Sequence, residues 1–251
     1  MKDTQVTISV ASMPFREAGL IETVKRLLPQ CDRMNVCLND YPWVPNALVH
    51  PKINILHVLG DDVLSDRGKF YWCNDMLGYH LTADDDIIYP WDYVTHTVQE
   101  IEKYNRRAVV SYHGSRFLTA YGKLVNHPFS RQLIRFGDTT DCDVGSHMIG
   151  TGVAGYHTSL MYVDYKTMFT PGTDEHLAIY AQQHKIPMII AKHRTGWIMD
   201  NKGASMNEPI HARKDLQRQL INMLYGYKQW YLYGDEVLKG KLPYDPNITG
   251  I

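Results

Sequence analysis

The chain has 251 residues, with 26 Lys+Arg against 27 Asp+Glu and a formal net charge of −1 at pH 7. That balance, with no basic run, argues against general nucleic-acid binding, and the length suits one large α/β domain or two small ones. No apolar stretch approaches the ~20 residues that span a bilayer, and the four cysteines (Cys31, Cys37, Cys73, Cys142) lack CxxC spacing, which excludes an obvious disulfide framework.

The first residues, Met-Lys-Asp-Thr-Gln, lack the apolar run of a signal peptide. A soluble, cytoplasmic protein is expected, with peripheral contact at the inner face of a membrane left open. Gln5 to Ser12 is β-rich and ends at Met13-Pro14. Apolar residues at 20, 21, 24, 27 and 28 predict a helix. Short buried strands are expected over Met34 to Leu38 and Ile53 to Leu59, then a helix after Lys69 and a fourth strand over Tyr79 to Thr82. A helix over Tyr93 to Tyr104 and a strand over Ala108 to Ser111 follow. Tyr112 to Gly155 shows few strong periods and reads as functional loop. Asp174 to His184 reads as a helix, Ile186 to Ala191 as a buried strand, and Ala212 to Tyr225 as an amphipathic helix. Lys239 to Ile251 looks like a tail. This alternation predicts a mostly parallel, doubly wound sheet, in which ligands bind outside the carboxyl ends of the strands. Ser12, Arg16, Asn39, Asp40, Asp62 and Asp84 to Asp86 collect at those ends.

Three adjacent aspartates, Asp84-Asp85-Asp86, are the most informative feature. Adjacent carboxylates repel and are costly to desolvate without a partner. Placed at a strand tip, they suggest a bound cation, and oxygen-only ligands suit Mg²⁺ or Mn²⁺. The bland alternative is a solvated acidic turn opening a helix. Such a metal would stabilise a leaving diphosphate. The sequence does not fix which aspartate does what; the favoured reading puts Asp86 and Asp85 on the metal and Asp84 on a ribose. Just upstream, Ser65-Asp66-Arg67-Gly68-Lys69-Phe70 offers a glycine for close approach and a lysine for phosphate, or else a surface turn.

The succession Ala11-Ser12-Met13-Pro14-Phe15-Arg16, Val36-Cys37-Leu38-Asn39-Asp40-Tyr41, Asp66-Arg67-Gly68-Lys69-Phe70 and Gly78-Tyr79-His80-Leu81-Thr82-Ala83-Asp84-Asp85-Asp86-Ile87 carries a family resemblance. It continues through Tyr89-Pro90-Trp91-Asp92, His113-Gly114, Gly150 to Thr158, Thr173-Asp174, Ala178 to Gln182, Lys185-Ile186-Pro187, Arg194 and Trp197. Over residues 5 to 198 the chain resembles GT-A fold glycosyltransferases close to family 2, of the type found in bacterial capsule and lipopolysaccharide synthesis and in a large algal virus. The resemblance implies a GT-A domain over 1–200, with a nucleotide-sugar half (about 1–110) and an acceptor half (about 111–200). A helical C-terminal extension would occupy 201–251. It implies a nucleotide-sugar donor, UDP-linked in the favoured reading, and a glycan or lipid-linked acceptor. It also implies Mn²⁺ or Mg²⁺ and transfer with inversion. Donor contacts would come from Ser12, Arg16, Asn39, Asp66, Lys69, Asp84, Asp85 and Gly152. Metal contacts would come from Asp86, Asp85 and His193. Asp174, opening a helix, matches the family's general base, with Glu175 in reserve. Relatives commonly carry a bulky aromatic two residues after this acid, where this chain has His176, so specificity is left open.

Two competing classes stay in view. A sugar nucleotidyltransferase would want a Gly-rich loop with Lys or Arg after the first strand, which Ala-Ser-Met-Pro-Phe-Arg does not supply. A non-catalytic carbohydrate-binding module would need no aligned Asp174. The aromatic stretch Tyr225, Tyr227, Trp230, Tyr231 and Tyr233 reads first as packing on the domain or a second subunit, and otherwise as a membrane-interface contact.

Overall fold

The computed structural model describes residues 3–120, 123–124, 131–202, 214–227 and 229–240. Its centre is an eight-stranded sheet. β1 (Val6–Ser12), β2 (Arg33–Asn39), β3 (Ile53–Val58) and β4 (Tyr79–Ala83) run parallel, in the spatial order β3-β2-β1-β4. After β5 (Ile87–Ile88) and β6 (Val109–Ser111) come short strands: β7 (Gly114–Phe117), β8 (Thr119–Ala120), β9 (Lys123–Leu124), β10 (Arg131–Ile134), β11 (Val144–Ser146) and β12 (Met148–Ile149). β13 (Val153–His157) lies antiparallel between β4 and β6. β14 (Met188–Ile190) is parallel to β6, and β11 closes that edge antiparallel to β14. β15 (Met199–Asp200) pairs with β5 just beyond the aspartates. The result is a Rossmann-like, mostly parallel α/β sheet flanked by helices, the architecture the strand and helix alternation predicts.

Helices cover both faces. α1 (Glu17–Leu27) buries Leu20, Val24 and Leu27, and α2 (Tyr93–Lys103) buries Tyr93, Val94 and Ile101, all in one apolar cluster with Ile8, Val10, Leu81 and Val153. α3 (Thr173–Gln183) puts Leu177 and Ala181 into a second cluster with Phe70, Val109, Ala154 and Met188. Neighbours Val153 and Ala154 fall in different clusters, as the period of a strand buried on both faces requires.

Two expectations are corrected. No α-helix follows Lys69; Ser65–Phe70 and Cys73–Asp75 are 3₁₀ turns. Their inward residues, Phe70 and Cys73, serve the second cluster without helical spacing. Tyr112 to Gly155 is not mainly loop. It holds the three-stranded sheet β10-β7-β12 and leads into β13. Strands of two to four residues such as Gly114–Phe117, Val144–Ser146 and Met148–Ile149 carry too little period to announce themselves.

The C-terminal segment packs on the domain. α4 (Lys214–Gly226) lies beside α3, and α5 (Tyr233–Leu238) covers β11. Trp230 is 2% exposed and meets Phe117 edge-on at 4.9 Å. Gln182 and Tyr231 exchange hydrogen bonds of 2.9 and 2.8 Å, and Arg116 pairs with Asp235 at 2.7 Å. The packing alternative therefore holds for Trp230 and Tyr227. Most of the tail over 239–251, and the start of the helix expected from Ala212, lie outside the described residues. No described helix is long and apolar enough to cross a membrane. All four cysteines are free, and Cys31, Cys37 and Cys73 are buried.

Candidate functional site

The chain lays down β1, β2 and β3 in one direction and then places β4 on the other side of β1. Between the carboxyl ends of β1 and β4 lies a topological switch point, where open α/β sheets form their ligand crevices. β4 pairs in parallel with β1 up to Val10↔Ala83. The next residues are Ser12 to Arg16 on one side and Asp84 to Asp86 on the other. Asn201 N–H donates to the Asp86 carbonyl at 2.8 Å, which fixes the main chain beyond the cluster.

The three carboxylates separate into two sets. Asp85 and Asp86 both accept from one nitrogen of Arg16: Nη1 lies 3.0 Å from Asp85 Oδ1 and 2.7 Å from Asp86 Oδ2. Asp84 Oδ1 accepts instead from Lys69 Nζ at 2.7 Å. Tyr89, fully buried, receives the Asp84 N–H at 2.8 Å and donates to the Gly152 carbonyl at 2.5 Å. A Cβ on Gly152 would collide with the Asp84 carboxylate, so a larger residue where this loop passes the cluster would displace that carboxylate.

Lys69 carries the network into the acceptor half. Its ammonium group, 3% exposed, also donates to Thr151 Oγ1 at 3.1 Å. Thr151 N–H donates to Asp174 Oδ1 at 2.9 Å, and its hydroxyl lies 3.2 Å from that of Thr173. Asp66 Oδ2 accepts from Gly172 N–H, Thr173 N–H and Thr173 Oγ1 at 3.0, 3.0 and 2.9 Å, holding the first turn of α3. Gly172, at φ +138°, makes the turn into that helix. A run of charged and hydroxyl groups thus joins Asp84 to α3.

Burial shifts the acids. It pushes the Asp85 carboxyl up to about 6 against the pulls of Ser12 and Arg16, and it raises Asp86, with Asp84 adding to the rise. Asp174 is raised by burial despite Lys69, and Glu175 is raised to about 7 by burial and by Asp174. Burial would lower Lys69, but Asp84 outweighs it and Lys69 stays raised. No hydrogen bond reaches the Glu175 carboxylate from any described side chain, whereas Asp174 is held by Thr151.

Several expected donor contacts turn out to hold the scaffold. Asn39 is buried and spent on main chain: its amide donates to the Ser12 and Ser65 carbonyls at 3.3 Å each, and its oxygen accepts from Leu64 and Ser65 N–H. Ser12 Oγ lies 2.8 Å from Tyr41 Oη and its hydroxyl also lowers Asp85, so it serves the scaffold and faces the acid cluster as well. Asp66 caps α3 through its bonds to Gly172 and Thr173. His193 is buried, with Nδ1 2.7 Å from the Ala191 carbonyl and Nε2 3.2 Å from the Arg135 carbonyl. Both nitrogens face main chain and neither meets an aspartate, which corrects the expected metal contact. Trp197 packs against Tyr93, His96 and Tyr112 and donates to Asp92. Thr151, Thr173 and Tyr89 join the site without a motif that announces all three. Only the Gly150-Thr151-Gly152 spacing hinted at the first of them.

Among the described residues no three His, Cys, Asp or Glu side chains form a metal cage. The site fits a cation only in the sparser manner of Mg²⁺ or Mn²⁺, held by one or two carboxylates and completed by water and phosphate. Two observations support that fit. Asp85 and Asp86 converge on one cationic nitrogen, and Asp85 Oδ2 is buried with no hydrogen-bond partner.

No family model matches the chain, and no curated protein matches it. The glycosyltransferase family that the residues resemble is therefore not established. Among solved structures, the chain is similar to a 4-diphosphocytidyl-2C-methyl-D-erythritol synthase from Anaerococcus prevotii, at 10% identity and a TM-score of 0.44. The match covers 90% of this chain and 99% of that one. A likeness this distant carries no argument about activity.

Proposed function

We propose that the chain is a metal-dependent transferase that takes a sugar from a nucleoside diphosphate, UDP in the favoured case, and passes it to a hydroxyl on a glycan or lipid-linked acceptor. The observation that carries the reading is the convergence of Asp85 and Asp86 on one cation position at the β1–β4 switch point. When bound, Mn²⁺ or Mg²⁺ at Asp85 and Asp86 would neutralise charge on the leaving diphosphate. Lys69, buried and paired with Asp84, holds that carboxylate beside the same crevice.

Inversion by direct displacement needs a base on the acceptor hydroxyl, most effective with a pKa near the working pH. Asp174 and Glu175 are the two acids at the start of α3. We favour Glu175 as the base, because no described side chain hydrogen-bonds its carboxylate, which burial and Asp174 raise to about 7 against a hydrogen bond from its own backbone N–H. Asp174 then holds Thr151, and through it Lys69.

The second reading is nucleotidyl transfer from a nucleoside triphosphate to a sugar phosphate. It would use the same switch-point crevice and metal. The segment after β1 is a 3₁₀ turn, Pro14–Arg16, running straight into α1 and containing no glycine, so a Gly-rich triphosphate loop is lacking there. The products separate the readings. With Mn²⁺ and a panel of nucleotide sugars, the expected outcome is slow release of nucleoside diphosphate, accelerated by the right acceptor. Pyrophosphate release from a nucleoside triphosphate and a sugar phosphate would favour the second reading. Donor binding with no turnover under either condition would point to a binding module.

A further inference from the structure

We propose that Arg16 is an internal substitute for the divalent cation: its guanidinium holds Asp85 and Asp86 together and must leave before the metal can enter. The inference rests on the proposed metal-dependent reading of this crevice and adds a mechanism of regulation to it.

The geometry of the pairing carries the argument. Arginine and carboxylate pair best as a fork, two parallel N–H···O bonds to one carboxylate. Here a single nitrogen, Nη1, serves both aspartates, one oxygen from each. Arg16 therefore sits where a cation shared by two carboxylates would sit, in an arrangement that forgoes its own preferred contact. Asp85 is 3% exposed, yet its second oxygen has no hydrogen-bond partner. A buried, unpaired carboxylate oxygen is costly, and the guanidinium does not reach it. A metal ion, which can take oxygens of one carboxylate singly or together, relieves that cost.

Charge points the same way. Lys69 already balances Asp84. Two carboxylates against one guanidinium leave Asp85 and Asp86 with one excess negative charge in a largely buried place. A divalent ion leaves none. Arg16 can also depart. It ends the 3₁₀ turn Pro14–Arg16 at the mouth of the crevice, its side chain is 22% exposed against 4% for Asp85, and the ring of exposed Phe15 lies 5.9 Å from its Cζ. It reaches inward from the surface, and the proposal requires it to withdraw by side-chain rotation.

The test is Mn²⁺ affinity of the full chain, without nucleotide, by calorimetry at pH 8, where the carboxylates are ionised. If Arg16 competes with the metal, R16Q binds Mn²⁺ about tenfold more tightly than wild type, the scale of one charge-assisted contact. R16K keeps a charge but loses the planar group; it binds about threefold more tightly. Circular dichroism melting checks that each variant folds, and R16K covers the case in which R16Q does not. Wild-type binding with equal or weaker affinity in the folded variants overturns the competition and leaves the metal-dependent reading standing. No Mn²⁺ binding by any of the proteins overturns both.

Discussion

Glu175 is a carboxylic acid raised to about 7 by burial and by Asp174. Its unfolded value is the ordinary 4.5, so the folded state binds its proton more tightly than the unfolded state does. The stability this contributes is fully present below pH 4.5 and is lost as pH rises through about 7. Gln cannot ionise and does not suffer that loss. Glu175→Gln should therefore gain in melting temperature relative to wild type between pH 5 and pH 8.5, by ~2 °C or more. Its transfer rate should fall about 10²-fold or more, with little change in donor affinity. A variant with the wild-type rate and the wild-type pH profile would return the base to Asp174.

At the scale of elements, the turn Ser65–Phe70 joins the two halves. Asp66 holds the start of α3, and Lys69 holds Asp84 and Thr151. In the sequence, Lys69 beside Gly68 reads as a phosphate contact or a surface turn. The structure buries it, and that changes the expectation. Lys69→Ala leaves the Asp84 charge without its partner beside the Gly152 loop. Breaking a buried pair from one side costs ~3–5 kcal/mol. Asp84 keeps 40% of its side-chain exposure, so solvent screens part of this and ~2 kcal/mol is expected. A melting temperature within ~1 °C of wild type would show that Lys69 has no structural role. The parallel strands were legible in advance because buried strands such as Val36-Cys37-Leu38 are continuous apolar runs. The small sheet was not, because its pairing is decided by distant partners such as Arg131↔Phe117. Asn39 and His193 misled for a related reason. A polar side chain at a strand end looks the same in sequence whether it faces a ligand or its own main chain, as both of these do.

For the whole molecule, the strand order puts the acid cluster at a switch point, and the C-terminal helices seal the far edge over β11 and α3. The cluster was legible as three adjacent aspartates. Their division was not: Asp84 goes to Lys69, and Asp85 with Asp86 to Arg16. The proposed function places the metal on Asp85 and Asp86, and one measurement decides it. Calorimetry of UDP binding with Mn²⁺ and with EDTA should show affinity at least about tenfold higher with metal, and the gain should vanish in Asp86→Ala, which removes half of the converging pair. Equal affinity for UDP with and without metal in the wild-type chain would contradict the account.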